Sequence, residues 1–167
     1  MNPSDPTDLF FDELRDLYSV TSQAILTLPE LADNASSPDL RSLLLDHEGE
    51  SVRHKEAIAA IFSRHGADPE GEICKAIRCL IEAGNERFAK TRDPQLRDLL
   101  LIAHSNQIEQ YEIAAYGFTV SLAQHVGLTK DACDLAEMLG EEQEMTRRLA
   151  RVAANIFGAQ IPVENAN

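Results

Sequence analysis

Apolar residues recur every three to four positions along most of the chain, which is the spacing of one face of an α-helix. Almost none of the chain shows the strict alternation of apolar and polar residues that is typical of a half-buried strand. Proline and glycine separate the periodic segments, as they do at helix ends. The pattern therefore predicts five helices, at about 6–32, 38–65, 72–90, 94–126 and 129–157.

Two of these helices begin with a recognisable local signal. Pro38 follows two serines and Pro94 follows Asp93, and each pair reads as an N-cap residue with proline at the first helical position. Pro29 lies inside the first periodic segment, where we expect it to kink the helix or break its final turn.

The lengths of the links predict how the helices are arranged. Short links at 33–37 and 127–128 require the long helices on either side to fold back as antiparallel hairpins. The segment 66–93, which contains the short third helix, forms a longer crossover between the two hairpins. This layout predicts an all-α, ferritin-like four-helix bundle with a short crossover helix, built as one domain over 1–167.

The apolar stripe of each long helix becomes polar near its middle. If antiparallel helices of similar length pack side by side, these middles meet in the core. Carboxylates are rare in a dry core because desolvating each one costs several kcal/mol. The residues that interrupt the stripes are Thr21 in the first helix, His47, Glu50 and His54 in the second, Asn106 and Glu109 in the fourth, and Glu142 and Thr146 in the last.

Three carboxylates so placed would also repel one another. At ~5 Å and an effective dielectric constant of ~20, each ionised pair among Glu50, Glu109 and Glu142 costs on the order of 3 kcal/mol. A divalent cation could neutralise them, some could retain protons through a raised pKa, or a wet, hydrogen-bonded polar layer could hold them without metal. A rotation of the helices that leaves some of these groups at the surface is a further alternative.

The spacing of these residues is compatible with metal ligands. Glu50 and His54 lie four apart and Glu109 and Glu112 lie three apart, so each pair shares a helix face. Carboxylate with imidazole suits iron or manganese, and zinc less specifically. We interpret His47, taken alone, as a structural residue. The metal ligands that this reasoning predicts are Glu50, His54, Glu109, Glu112 and Glu142.

Charge and composition exclude several classes of function. The chain has 15 Lys and Arg against 28 Asp and Glu, a net charge of −13, which repels nucleic acid and anionic membranes. The N-terminus has no signal-peptide pattern and the tail at 162–167 has no basic residue, so we expect a cytoplasmic protein that does not bind DNA. The three cysteines are expected to be reduced core residues without a catalytic partner motif.

Five segments of the chain carry a resemblance to a known family. The most specific is QIEQYEIAAYG at 107–117, and the Cys-led segment 74–86 is the next; the others are 11–32, 47–62 and 139–149. With these segments the chain resembles the YciE/YciF-type stress proteins of bacteria, a ferritin-like group of unassigned biochemical function. The resemblance implies a ferritin-like bundle, a homodimer and an association with stress responses.

The resemblance also implies metal positions, with departures. Ferritin-like relatives hold two metals through glutamates and Glu-x-x-His pairs, and Glu50, Glu109, Glu112 and Glu142 match carboxylate positions, with His54 where the family has Gln or His. Thr21 and Thr146 stand where the family has acidic residues, Gln110 replaces the usual His, and the Glu50–His54 spacing is four, not three. These departures disfavour a full di-metal centre and favour a single metal, iron or manganese, or none.

Two functions follow from these observations. The first is a metal-binding, ferritin-like stress protein that reacts with oxygen or peroxide. The alternative is a metal-free helical scaffold that acts through homodimerisation or protein partners, with Phe10, Phe11 and Phe88 among the candidates for an exposed apolar contact strip. Whether the protein is an enzyme is left open.

Overall fold

The computed structural model describes residues 4–158 and has five α-helices in that range, so the all-helical prediction is confirmed. Every boundary lies within three residues of its predicted position, and the start of α3 differs most. The acidic start of the chain before residue 4 and the tail at 162–167 lie outside the described residues. The helices are α1 (Pro6–Asn34), α2 (Pro38–Arg64), α3 (Lys75–Ala89), α4 (Pro94–His125) and α5 (Thr129–Phe157).

The predicted capping signals begin α2 and α4. The Ser37 hydroxyl accepts a hydrogen bond from the Leu40 backbone N–H at 3.4 Å, and the Asp93 carboxylate accepts one from Leu96 N–H at 2.7 Å. In both helices proline occupies the first turn, where its missing N–H costs nothing. These helix starts are therefore determined by residues adjacent in the sequence.

Pro29 does not end α1, so of the two predicted outcomes, a kink or a break in the final turn, the break was wrong. The helix continues through Pro29 to Asn34. Leu28 and Leu31, on either side of the proline, are buried in a core cluster with residues of α2, α4 and α5. The burial of these apolar side chains offsets the single backbone hydrogen bond that proline removes.

Two apolar clusters show the direction of the four long helices. The first cluster joins the starts of α1 and α5 to the ends of α2 and α4, and the second joins the opposite ends of the same four helices. Thus α1 and α5 run one way and α2 and α4 run the other, and polar residues between the clusters lie at mid-height. Representative members are Phe10, Ile61, Tyr116 and Leu135 in the first cluster and Leu31, Leu44, Leu101 and Leu149 in the second.

The short helix α3 packs outside this group, mainly against α4. Cys74, just before α3, is buried with Ile77 and Ile108 in a third apolar cluster. The three cysteines are free, as predicted, but Cys79 and Cys133 are exposed, so the expectation that each fills the core was wrong for those two. In the part of the chain that the structure describes, no helix has the length and apolar content needed to cross a membrane.

Candidate metal centre

Four metal-ligating side chains meet at mid-height, between the two large apolar clusters. His47 comes from α2, Glu109 and Glu112 come from α4, and Glu142 comes from α5. Each offers one ligand atom, and these atoms all lie within 4.8 Å of one another. None of the four residues is more than 1% exposed. We refer to these four residues as the central cluster.

His47 lies at the centre of this group, although the sequence assigned it only a structural role. Its Nε2 is 3.2 Å from Glu109 Oε1 and 3.5 Å from Glu142 Oε2. Burial alone would lower the pKa of His47, but the carboxylates of Glu109, Glu50 and Glu142 outweigh it and raise the pKa well above its usual value. The sequence feature that could have identified His47 as a cluster residue is its position seven residues before His54, which places the two on the same helix face.

Glu50 lies at the edge of the central cluster and is not one of its four members. It is half-buried, and its Oε2 is 3.1 Å from Nδ1 of His47. Its other oxygen accepts a hydrogen bond from Arg148 at 3.2 Å. The hydrogen bond with His47 is the main reason that the pKa of Glu50 is lowered. In this structure Glu50 therefore orients His47 from the outside.

His54 contacts the central cluster through Glu142. Its Nδ1 is 2.9 Å from Glu142 Oε1, and its Nε2 is 3.0 Å from Oε2 of Glu141, whose side chain is half exposed. Burial opposes the charged imidazole, but the two carboxylates raise the pKa of His54. Burial likewise opposes ionisation of Glu142, but hydrogen bonding with His54 and the charge of His47 lower its pKa.

The pKa values of the two α4 carboxyl groups, Glu109 and Glu112, are raised, whereas that of Glu142 is lowered. Burial raises the pKa of Glu109 to about 7, with His47 opposing the change and Glu142 adding to it. Burial also raises the pKa of Glu112 well above its usual value, and repulsion by Glu142 and Glu109 raises it further. The central cluster thus joins one readily ionised carboxylate, Glu142, to two carboxyl groups, Glu109 and Glu112, that ionise less readily.

Several buried polar atoms of the central cluster lack a hydrogen-bond partner among residues 4–158. Leaving such an atom unpaired costs about 1–3 kcal/mol. Their convergence fits a divalent cation, which takes carboxylate oxygens and imidazole nitrogen together and would replace the proton on His47. The unpartnered atoms are His47 Nε2, Glu109 Oε2, Glu112 Oε2 and Glu142 Oε2.

The two threonines that replace expected carboxylates limit this set. Thr21 of α1 is fully buried, and its hydroxyl oxygen also lacks a partner. Thr146 is half-buried and donates its hydroxyl hydrogen bond to the carbonyl of Gln143 in its own helix, while Gln110 is exposed. Only three carboxylates and one imidazole therefore form the central cluster, which is a ligand set for one metal ion and a sparse one for two.

Comparison with known proteins agrees with this architecture. Protein YciF of Escherichia coli (strain K12) is 33% identical over 156 residues, which cover 93% of this chain and 94% of YciF. The crystal structure of the E. coli stress protein YciF matches with a TM-score of 0.89 at 31% identity, over 94% of this chain and 99% of that one. These matches confirm the resemblance to YciF.

A more distant structure shares the fold. A ferritin-like, diiron-carboxylate protein from Bacillus anthracis str. Ames matches with a TM-score of 0.70 at 15% identity, over 90% of this chain and 99% of that one. At this identity the likeness establishes a ferritin-like fold neighbour and no more.

A family match covers nearly the whole chain. Residues 5–161 match a family described as a domain of unknown function, DUF892. The matched range includes all five helices and every residue of the central cluster. Together with the identity to YciF, this match shows that the chain belongs to the DUF892 family.

Proposed function

We propose that this protein is a ferritin-like, stress-associated protein whose central cluster binds one divalent cation, iron or manganese. The four long helices form a ferritin-like four-helix bundle in a single domain. The observation that carries the proposal is the convergence of ligand atoms from four buried residues, His47, Glu109, Glu112 and Glu142, each of which also has an unpartnered polar atom. Bound iron or manganese would supply a centre that can exchange electrons with oxygen or peroxide.

The surrounding residues have supporting roles in this proposal. Glu50 holds Nδ1 of His47, so the ring presents Nε2 to the other three side chains. His54 holds one oxygen of Glu142 and leaves the other without a partner. Such outer contacts fix the orientation of ligands around a metal. Two predicted ligands, Glu50 and His54, are therefore proposed here as positioning residues.

Metal binding is tested by titrating Mn²⁺ into chelator-treated protein and measuring bound metal and the melting temperature. We expect about one metal per chain and a melting temperature that rises with the concentration of free Mn²⁺. At 100 times Kd the free energy of unfolding should increase by about 2.7 kcal/mol. Glu112→Gln should bind Mn²⁺ at least about tenfold more weakly. Glu56→Gln, which removes an exposed carboxylate from α2, should behave as the wild type.

Two results would overturn the metal proposal. One is less than ~0.2 metal per chain at saturating Mn²⁺ and Fe²⁺. The other is equal binding by wild type and Glu112→Gln, because the metal would then lie elsewhere on this acidic surface.

A metal-free scaffold remains the second candidate, and the protonation of the cluster favours it. The raised pKa values of His47 and His54 favour positive charge beside Glu142, and the raised pKa values of Glu109 and Glu112 limit the negative charge that these two carboxyl groups add. The central cluster can therefore be close to neutral without a cation. In this case the protein would act in the cytoplasm through self-association or a protein partner, and not on nucleic acid or membranes.

Self-association needs an exposed apolar surface. Phe10 and Phe88 are buried, so two members of the strip proposed from the sequence cannot supply it. Leu26, Ile73 and Phe118 are exposed large apolar residues that could. We propose a homodimer, tested by sedimentation at several concentrations. A strict monomer that binds stoichiometric metal would count against the scaffold.

A further inference from the structure

His104 of α4 is buried next to a glycine of α3 that makes room for its ring. A Cβ atom at Gly84 would lie 2.1 Å from Cε1 and Nδ1 of His104, so no other residue fits there without moving the ring. Gly84 lies inside α3, where glycine costs about 1 kcal/mol relative to alanine. The close approach of α3 and α4 at this point thus depends on a residue that weakens α3.

The ring of His104 has no polar partner within the described part of the chain. The residue is only 4% exposed, and neither Nδ1 nor Nε2 forms a hydrogen bond there. A neutral imidazole has one donor and one acceptor, and leaving each unpaired costs about 1–3 kcal/mol. A leucine would fill the same space without this cost, so packing alone does not explain a histidine at 104.

A cleft of about 50 Å³ adjoins this ring and opens to solvent between α3 and α4. A cavity needs only about 10–15 Å³ to hold one water, so this one has room for a small molecule. Its walls are apolar except for His104, the guanidinium-bearing Arg87 and the amide-bearing Gln107. The apolar part consists of Leu80, Ala83, Gly84 and Leu100.

Arg87 gives the cleft its charge. Among residues 4–158 its guanidinium takes part in no ion pair, although the chain has 28 acidic residues. It lies close enough to His104 to lower the pKa of that ring, after burial as the larger cause. A bound anion would be attracted by this free positive charge, and the neutral ring and the amide could hydrogen-bond to it.

We propose that this cleft binds a small organic carboxylate with a short apolar chain, its carboxylate held by Arg87, His104 and Gln107. The apolar walls receive the hydrocarbon end, and the small volume of the cleft, about 50 Å³, limits its length. The site lies on the outer face of α4 and shares no residue with the central cluster. It is therefore independent of the proposed metal site.

The proposal is tested by following the His104 ring signals by NMR while sodium propionate is added to the full-length protein. His104→Gln identifies the signals, and propionamide and sodium chloride serve as neutral and ionic comparisons. We expect a saturable shift with propionate and none with propionamide. We also expect the pKa of His104 to rise as propionate binds, because the anion stabilises the imidazolium.

Two variants on α3 make the test specific. Arg87→Gln should weaken propionate binding by about tenfold or more. Arg78→Gln, which removes another exposed arginine of the same helix outside the cleft, should leave binding unchanged. The proposal is overturned if propionate causes no saturable shift. It is also overturned if sodium chloride causes the same shift, or if Arg87→Gln binds propionate as the wild type does.

Discussion

Two buried carboxylates in this molecule have opposite surroundings. Asp131, in the first turn of α5, is 3% exposed and accepts hydrogen bonds from Arg64 Nε at 3.0 Å and His65 Nε2 at 2.6 Å. Glu112, at the middle of α4, is 1% exposed, and its nearest charged neighbours include Glu109 and Glu142. Asp131 is neutralised by two basic side chains, whereas Glu112 shares its surroundings with two other carboxyl groups and a single histidine, His47.

The difference follows from where each residue lies on its helix. Arg64 is in the last turn of α2, which meets the first turn of α5 because the two helices run in opposite directions. The helix dipole favours a positive side chain at the end of α2 and a negative one at the start of α5. Exposed space at this end of the bundle accommodates the long arginine. At mid-height no helix ends, and the long side chain of Arg148 reaches only Glu50, at the edge of the central cluster. A buried acid at the end of the bundle therefore has a structural role, and the acids at mid-height need a proton or a cation.

The largest expected effect comes from removing the one cationic member of the central cluster. His47→Gln should lower the free energy of unfolding of chelator-treated protein by about 3 kcal/mol at pH 7, because buried carboxylates lose their neutralising charge. Urea unfolding followed by circular dichroism measures it. His125→Gln, at an exposed site, should show no change. A loss below about 1 kcal/mol would mean that His47 is neutral in the folded protein.

Asp131→Asn should lower the free energy of unfolding by about 2 kcal/mol, because it leaves Arg64 and His65 without their shared carboxylate. The partial exposure of Arg64 reduces the loss through solvent screening. In urea unfolding, Asp131→Asn should lose the same free energy of unfolding with and without Mn²⁺, unlike His47→Gln. The control is Asp134→Asn, a more exposed partner of Arg64, which should cost less than about 1 kcal/mol. Equal losses in the two variants would show that burial of Asp131 adds nothing.

The pH dependence of stability should reveal the raised pKa values at mid-height. The pKa of Glu109 is raised to about 7, so between pH 4.5 and 7 the folded protein retains a proton that the unfolded chain releases. Stability conferred by this group is present below pH 4.5 and is lost as the pH rises to 7, by about 1 kcal/mol per pH unit. His47 and His54, whose pKa values are also raised, extend the loss above pH 6.5.

Urea unfolding of chelator-treated protein between pH 5 and 8 measures this loss. Glu109→Gln should flatten the slope, whereas Glu56→Gln, at an exposed site of α2, should leave it unchanged. Mn²⁺ should reduce the loss, because metal binding displaces protons and strengthens as the pH rises. A wild-type stability that increases from pH 5 to 7 would contradict the protonated state of Glu109.

The smallest expected effect is that of Glu112→Gln without metal. The raised pKa of Glu112 means that the side chain already holds a proton, and a glutamine amide has nearly the same shape. The free energy of unfolding should change by less than about 0.5 kcal/mol at pH 6. A loss above about 2 kcal/mol would show that Glu112 is ionised and balanced by a positive charge, as Asp131 is.

Part of the candidate site could be predicted from the sequence because it depends on spacing within one helix. Glu109 and Glu112 share a face at any rotation of α4, and both lie in the central cluster. In α2 the sequence offered His47, Glu50 and His54 on one broad face. At about 100° per residue, Glu50 lies about 60° around the helix from His47, so a modest rotation decides which residue points inward. Packing of Leu43, Leu44 and Ile58 sets that rotation and turns His47 to the centre.

The amino-acid sequence by itself determined the five helices, because apolar spacing and the caps Ser37 and Asp93 act between near neighbours. It also determined that carboxylates occur at the middle of an apolar stripe. Only the tertiary structure decided that α1 continues past Pro29, that His47 joins Glu109, Glu112 and Glu142, and that Asp131 receives two basic partners. The physical reason is that burial and charge pairing depend on distances between separate helices, and these arise only when the apolar faces pack together.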